Sequence, residues 1–314
     1  MSRTTANLLL LFAAAIWGSS FVPQQTAMGS VSPMWFLAAR YALTLVVLAP
    51  FVWREHRRAR PIAPKALGLM ILIGAVFVGG NALQQVALLS TSITNAGFLT
   101  SLYLVFTPFV AMALTRERPG VAVWPSTLLG LGGAWLLSGG LDGSFSLGDG
   151  MITASAVLWA VQIVLIGLVM RACDRPLLLV VIQGGMLLVA SGGWAIGHDP
   201  ISVGALVAAG PEIVYTGLLS GVVAYTIQAV AQRHTEASDA AVIYASEAPF
   251  ASLAGWVMLG ERLSSGQWAG AAAIFAAVSA STNLRSTRAT FPTSCASCTA
   301  MVRVRLATPP LAAV

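Results

Sequence analysis

Ten apolar stretches of membrane-spanning length run along this 314-residue chain, and almost no charge interrupts them. They cover residues 7–28, 33–53, 66–88, 93–115, 122–140, 149–171, 176–196, 211–232, 240–259 and 266–283. A helix crossing a hydrocarbon core about 30 Å thick needs about 20 apolar residues, and each stretch reaches that length or falls within a turn of it. With no water at that depth, backbone polar groups must be satisfied inside each segment or in a closed barrel. None of the runs shows the period-two alternation of a barrel strand. The expected fold is therefore all-α integral membrane, with ten transmembrane helices. Charged residues make up only 9% of the chain, against about 25% in a soluble domain, which excludes a soluble fold.

The net charge of +6 invites a nucleic-acid reading, but its distribution argues for orientation instead. With the N-terminus in the cytoplasm, one side of the membrane receives Arg3, then Arg54, Arg57, Arg58, Arg60 and Lys65, then Arg116, Arg118, Arg171, Arg175 and Arg233. The tail adds Arg285, Arg288, Arg303 and Arg305 to the same side, while the opposite side receives only Arg262. This is the positive-inside pattern. It predicts a multi-pass protein of the cytoplasmic membrane with both termini cytoplasmic and no nucleic-acid partner. The outer loops are neutral (29–32, 89–92) or carry Asp142, Asp149, Asp199 and Glu212. The first span has the basic start and small residues of a signal peptide, but its apolar run continues through Trp17 to Val22, so it reads as a retained helix. Cys173, Cys295 and Cys298 are too few and too scattered for a disulfide framework.

The chain also repeats itself. A shift of 144 residues sets Gln84 on Gln228, Thr91 on Thr235, Phe106 on Phe250, Glu117-Arg118 on Glu261-Arg262 and Trp124 on Trp268. Earlier in each half the match slips slightly, with Trp17 on Trp159 and Pro33 on Pro176. Five helices is an odd number, so the second copy enters the bilayer from the opposite side. The expected organisation is two inverted five-helix repeats, 1–141 and 142–284, followed by a disordered cytoplasmic tail, 285–314. Inverted repeats are a common build of secondary transporters, whose binding site lies near the midplane between the repeats. The two Glu-Arg pairs close the fourth helix of each half and read as solvated helix ends.

Ionisable residues at depth are costly and mark function by default. Glu247 lies about 12 Å into the ninth span and Arg40 about 10 Å into the second, at 1.5 Å per residue. They read either as structural, paired with each other or separately with backbone carbonyls, or as a substrate clamp. In the clamp, Arg40 takes an anionic group through its planar donor fork, and Glu247 takes an ammonium or exchanges a proton. Trp17, Gln25, Asn81, Gln85, Tyr103, Trp159, Gln162, Tyr225, Gln228 and Tyr244 complete the candidate substrate-binding set, with Gln24, Gln84, Asn95 and Gln183 as further polar groups at depth. Each is also suited to bridging helices. Gly266 and Gly270 form a GxxxG spacing for close helix approach, and Pro108 and Pro249 promote kinks.

These residues together resemble the EamA-type family of the drug/metabolite transporter superfamily. The resemblance rests on Trp17-Gly18-Ser19-Ser20-Phe21, on Ala38-Ala39-Arg40-Tyr41, and on the stretch from Ser92 to Leu99. Its most specific part runs from Ser246-Glu247-Ala248-Pro249-Phe250 through Gly260-Glu261-Arg262-Leu263. The resemblance spans about residues 7–283 and implies a ten-helix secondary carrier, often an exporter of amino acids or other small metabolites, with a central cavity and no cofactor. One departure is that Pro108 lies nine residues before Glu117, whereas Pro249 lies twelve before Glu261.

The function expected is thus transport of a small polar metabolite or drug by alternating access, with the lipid bilayer as solvent and proton coupling as an option. No Walker A loop appears. A membrane-embedded enzyme is the alternative from another class, but His56, His198 and His234 fall in loops or at helix ends, and no H-E-x-x-H or G-x-S-x-G motif is present. A passive channel is a third reading. Oligomeric state, a homodimer included, is not legible in lipid-facing surfaces.

Overall fold

The structure, a computed structural model, describes residues 1–59, 61–116, 120–121, 123–138, 146–260 and 262–283. Glu117, Arg118, Asp142, Glu261 and the tail 285–314 with Cys295 and Cys298 lie outside the described residues. So does most of the junction between the two expected halves.

The described chain is all-helical. Helices α1 (Arg3–Ala27), α2 (Pro33–Arg58) and α3 (Pro64–Ala87) are followed by the short α4 (Ile93–Thr100) and by α5 (Tyr103–Thr115) and α6 (Val123–Leu137). Then come α7 (Leu147–Ala172), α8 (Pro176–His198), and the short α9 (Val203–Ala208) and α10 (Gly210–Tyr215). A π-helical segment, Thr216–Ala224, leads into α11 (Tyr225–Ala231), and the chain ends with α12 (Ala237–Tyr244), α13 (Glu247–Leu259) and α14 (Ser265–Asn283). Among the described residues, eight helical segments are long and apolar enough to cross a membrane, and α6 is a shorter apolar helix. The protein is a multi-pass integral membrane protein. Large apolar side chains such as Leu8, Val46, Leu128, Val189 and Val257 face outward, as a hydrocarbon solvent demands.

Local chemistry sets the helix ends. Serines cap α1, α2, α4 and α7: Ser2, Ser32, Ser92 and Ser146 each accept a hydrogen bond from a backbone N–H in the first turn. Proline occupies the first turn of α2, α3 and α8, where its missing N–H costs nothing. Asp149, expected as a loop charge, is instead 4% exposed. It completes a capping box with Ser146 and accepts a hydrogen bond from the Thr91 hydroxyl at 3.1 Å, so the cap of α7 is also tied to the start of α4.

Two long spans are each broken in mid-course. The 93–115 stretch splits at Ser101–Leu102 and the 237–259 stretch at Ala245–Ser246, at the spacing of the sequence repeat. The second break has a direct cause. Pro249 has no N–H to give the Ala245 carbonyl, which is taken up by Ala248 N at 3.3 Å. No proline stands four residues after the first break, so Pro108 does not explain it. Each second half-helix ends on a left-handed residue, Arg116 at φ 58° and Gly260 at φ 71°; the glycine adopts this conformation without penalty.

The helices pack as α1 on α13 and on the π-helical segment, α2 on α8, α3 on α7, and α6 on α14. Glycines set the closest approaches. A Cβ at Gly270 would lie 2.5 Å from the Gly133 carbonyl oxygen. A Cβ at Gly217 would lie 2.9 Å from the Arg40 carbonyl oxygen, and one at Gly221 would run into the Thr44 hydroxyl. Gly217 and Gly221 form a second GxxxG spacing, which seats the π-helical segment on α2. The Thr44 hydroxyl lies between the carbonyls of Arg40 and Gly217, at 2.9 and 2.8 Å.

At the end of the bundle that carries the start of α1, ion pairs join distant parts of the chain: Arg3 with Asp239, Glu55 with Arg175, and Arg233 with Asp174. Asp239 is only 2% exposed and sits in the first turn of α12, which starts three residues before the span read from sequence. The sequence reading therefore missed this acid at the edge of a membrane segment. Glu55 also accepts from the N–H groups of Leu177 and Leu178, both at 3.0 Å. The C-terminal turn of α2 thus caps the N-terminus of α8.

Candidate substrate site

Two apolar clusters meet along Trp17 and Trp159, which pack against both, and a polar cavity lies beside them. Its lining includes Arg40, Asn81, Tyr103, Gln162, Tyr225, Gln228, Tyr244 and Glu247 together with the two tryptophans, all of them singled out from sequence. Gln25 and Gln85 do not line it. Gln25 donates to the Thr91 carbonyl at 3.3 Å, and Gln85 to the Gln24 carbonyl at 3.3 Å, so the first ties α1 to the turn before α4 and the second ties α3 to α1. The cavity adds Gln24, Gln84, Thr100, Ile163 and Ser220. The two glutamines are visible in the sequence as polar groups at depth. Thr100 and Ser220 carry no such signal, because hydroxyls are common throughout apolar helices. The cavity has a volume of about 50 Å³, room for a few waters.

Arg40 is 2% exposed and is held by neutral groups. It donates to Gln24 Oε1 at 2.8 Å, to the Tyr41 hydroxyl at 3.1 Å and to Asn81 Oδ1 at 3.5 Å. The two amides are fixed in orientation, since Gln24 donates to the Ser20 carbonyl and Asn81 to the Phe77 carbonyl, each at 3.0 Å. That turns their oxygens to the guanidinium. The guanidinium carbon stands 4.8 Å from the Tyr41 ring centroid and 5.9 Å from that of Phe36, within range of cation–π attraction. Among the described residues Arg40 makes no ion pair. The structural pair with Glu247, one of the two sequence readings, is not formed.

Glu247 is the first residue of α13 and Tyr103 the first of α5. The broken spans thus bring two half-helix N-termini to the cavity, where backbone N–H groups favour negative charge. The Tyr103 hydroxyl is turned toward the Glu247 carboxyl without closing a hydrogen bond of normal geometry. Gly18 allows the close contact that puts Trp17 beside this acid. A Cβ there would meet the Glu247 carbonyl oxygen and lie 2.7 Å from Phe250 Cβ.

Aromatic rings and amides form the remaining wall. Trp17 packs on Tyr225 (centroids 5.0 Å apart) and edge-on to Tyr244 (5.3 Å), with Phe77 behind Tyr225 and Trp159 (4.9 and 5.8 Å). The Trp159 indole donates to Gln84 at 2.8 Å, and Gln228, Gln162 and Gln183 form an amide chain at 3.4 and 2.9 Å. Four polar atoms of residues that line the cavity are buried without a protein partner: Trp17 Nε1, Arg40 Nε, Thr100 Oγ1 and Gln228 Oε1. Such atoms are expensive to bury unless something supplies the missing bonds, so their convergence marks a place for a polar occupant. Among the described residues, no three His, Cys, Asp or Glu side chains are grouped to hold a metal ion, and no histidine lines the cavity.

Comparison with known proteins fixes what kind of protein carries this cavity. The model of the EamA-like transporter family matches residues 4–139 and again 146–282. The chain belongs to the EamA-like transporter family. A relative from Archaeoglobus fulgidus described as an uncharacterized transporter is 28% identical over 283 residues, covering 88% of this chain and 86% of its own. A solved crystal structure shares the fold with a TM-score of 0.71, at 20% identity over 90% of this chain and 98% of its own. This EamA-like chain is therefore a membrane transporter of the drug/metabolite superfamily.

Proposed function

We propose that this EamA-like protein is a secondary carrier that exports a small polar metabolite, an amino acid or a drug-like solute, by alternating access. Its ten spans form two inverted five-helix halves, 1–141 and 142–284, with both termini cytoplasmic. The observation that carries the proposal is the cavity: one guanidinium, one carboxyl and unpartnered buried polar atoms on Trp17, Thr100 and Gln228, lined by residues of both family-matched segments. The lining supports the inverted build, because it consists largely of repeat partners. Trp17 answers Trp159, Asn81 answers Tyr225, Gln84 answers Gln228, Thr100 answers Tyr244, and Tyr103 answers Glu247. The helix pairings support it too. Exchanging the halves maps α2 on α8 and α6 on α14 onto themselves, and turns α3 on α7 into the packing of the π-helical span on α1. The double family match agrees with this division. The limited free volume favours a carrier that closes around cargo over an open pore.

Arg40 takes the anionic group of the cargo and Glu247 its cationic group, and Glu247 also offers a site for a coupled proton. Purified protein in liposomes, assayed for exchange of labelled amino acids, sugars and organic cations, tests the proposal. Saturable counter-transport that is lost in Arg40→Ala is the expected result. Non-saturating flux without counter-transport refutes the carrier reading. Full activity and an unchanged pH profile in Glu247→Gln remove the proton-coupling role.

A further inference from the structure

We infer that the C-terminal end of α2 and the turn into α3 form a binding site for the headgroup of an anionic phospholipid. The site lies on the outer surface of the protein and is independent of the cargo and of the carrier reading. Between positions 54 and 65 the chain places Arg54, Arg57, Arg58, Arg60 and Lys65 against one acid, Glu55; Arg60 lies outside the described residues. The acid is already engaged, since Glu55 pairs with Arg175 and accepts from the N–H groups of Leu177 and Leu178. Arg54, Arg57, Arg58 and Lys65 are exposed and join no ion pair among the described residues. This sets them apart from other cations at the same end of the bundle. Arg3, Arg175 and Arg233 each meet an acid, and Arg171 donates to the Thr235 carbonyl at 3.2 Å. Those cations tie the bundle together, whereas the α2 group has no acid to answer it among the described residues.

Geometry puts this charge at headgroup level. At 1.5 Å per residue the 26 residues of α2 measure about 39 Å, more than a hydrocarbon core of roughly 30 Å, so the last turns emerge from it. Phe51 and Trp53, 50% and 56% exposed, stand just before the charges, where aromatic side chains mark the membrane–water interface. At about 100° per residue, Trp53, Arg54, Arg57 and Arg58 fall within an arc of about 140°. That arc is turned away from Leu48, which is buried in the core, and from Glu55. The Arg57 guanidinium carbon lies over the Trp53 ring, 3.8 Å from its centroid. Cation–π attraction holds it there and leaves its planar N–H fork for a phosphate, which such a fork binds bidentately. Arg54 and Arg58, one turn apart, add charge on the same side. A soluble anion would use the cations but not the two exposed rings; a phospholipid uses both, its phosphate on the arginines and its acyl chains along Phe51 and Trp53.

Mass spectrometry of the full-length protein released from detergent micelles, after titration with phosphatidylglycerol or phosphatidylcholine, reads bound lipid directly. Phosphatidylglycerol is expected to bind at least about tenfold more tightly, with a preference that falls as ammonium acetate is raised. Arg54→Gln/Arg57→Gln/Arg58→Gln is expected to weaken phosphatidylglycerol binding on the order of 100-fold, at about fivefold per charge, without changing phosphatidylcholine binding or the unfolding temperature in phosphatidylcholine micelles. The corresponding triple lysine variant keeps the charge and is expected to retain most of the preference. Trp53→Leu, with every charge intact, is expected to weaken binding about threefold, and Arg262→Gln, in the connection between α13 and α14, to leave it unchanged. Equal binding of the two lipids, or unchanged phosphatidylglycerol affinity in the triple glutamine variant, overturns the inference. Displacement of phosphatidylglycerol by inorganic phosphate also overturns it, because the site then takes a free anion.

Discussion

Gly18→Ala adds one methyl group where α1 touches α13, and the structure states what that methyl meets. Besides the Glu247 carbonyl oxygen, it would lie 2.7 Å from Phe250 Cβ and 2.9 Å from the Ala251 nitrogen. All three are backbone or backbone-anchored atoms, so no side chain can swing aside and the helices must part. Overpacking of this kind costs about 1–3 kcal/mol, offset by about 1 kcal/mol from replacing glycine in a helix. The same substitution at Gly185 in α8 meets nothing within 4 Å and gains only the second term. The two variants should therefore differ by about 1–3 kcal/mol, or about 1.5–5 °C in unfolding temperature for a chain of this size. Thermal unfolding in detergent, followed by tryptophan fluorescence, reads the difference. Because Trp17 and Glu247 flank the contact, Gly18→Ala should also weaken cargo binding, while Gly185→Ala leaves it unchanged. Equal unfolding temperatures for the two variants would refute the close contact between α1 and α13 and the placement of Trp17 that depends on it.

Arg40→Lys keeps the charge but loses the planar fork that spans Gln24, Tyr41 and Asn81. Exchange in liposomes should fall at least about tenfold, given that hydrogen bonds to charged groups are worth about 1.5–3 kcal/mol each. Glu55→Gln removes the ion pair with Arg175 and the negative charge over the N-terminus of α8. It should cost about 1–2 kcal/mol in thermal unfolding, and Glu55→Asp, one methylene shorter, should not restore it. Burial pushes the Cys173 thiol above its ordinary range, so at neutral pH it is more fully protonated than a free thiol. In a Cys295→Ser/Cys298→Ser background, its alkylation should be slower than that of a free thiol at pH 8 and should keep accelerating at pH values where the free thiol has levelled off.

The helices, their order and most of the cavity lining were legible in the sequence for one physical reason. A polar side chain in a lipid-dissolved helix has nowhere to go except toward other polar groups, so type and depth alone select it. That logic identified Arg40, Glu247, Asn81 and Gln228. Gln25 and Gln85 fall outside the cavity lining because a backbone carbonyl of another segment satisfies each amide, a choice that residue type and depth do not reveal. It passed over Thr100 and Ser220, whose hydroxyls can bond to their own helix. It placed the kinks at the prolines, whereas the chain breaks at Ser101–Leu102 and Ala245–Ser246, and only the second break traces to a missing N–H. The π-helical stretch Thr216–Ala224 had no composition signal, although its Gly217 and Gly221 sit against Arg40 and Thr44. Asp239 escaped notice because its span was started one residue after it.

Under the alternating-access cycle proposed above, the neutral cradle around Arg40 bears on how the unloaded carrier resets. A guanidinium whose only mate was the cargo's own anion would be stranded in a low-dielectric interior each time cargo left, and the unloaded protein would be locked into one-for-one swapping. Here the Gln24 and Asn81 oxygens and the Tyr41 ring already solvate the cation, so the vacant form can reset. Net efflux into cargo-free vesicles, running at a rate comparable to exchange, is the behaviour this arrangement permits; strict dependence on cargo on the far side would contradict it.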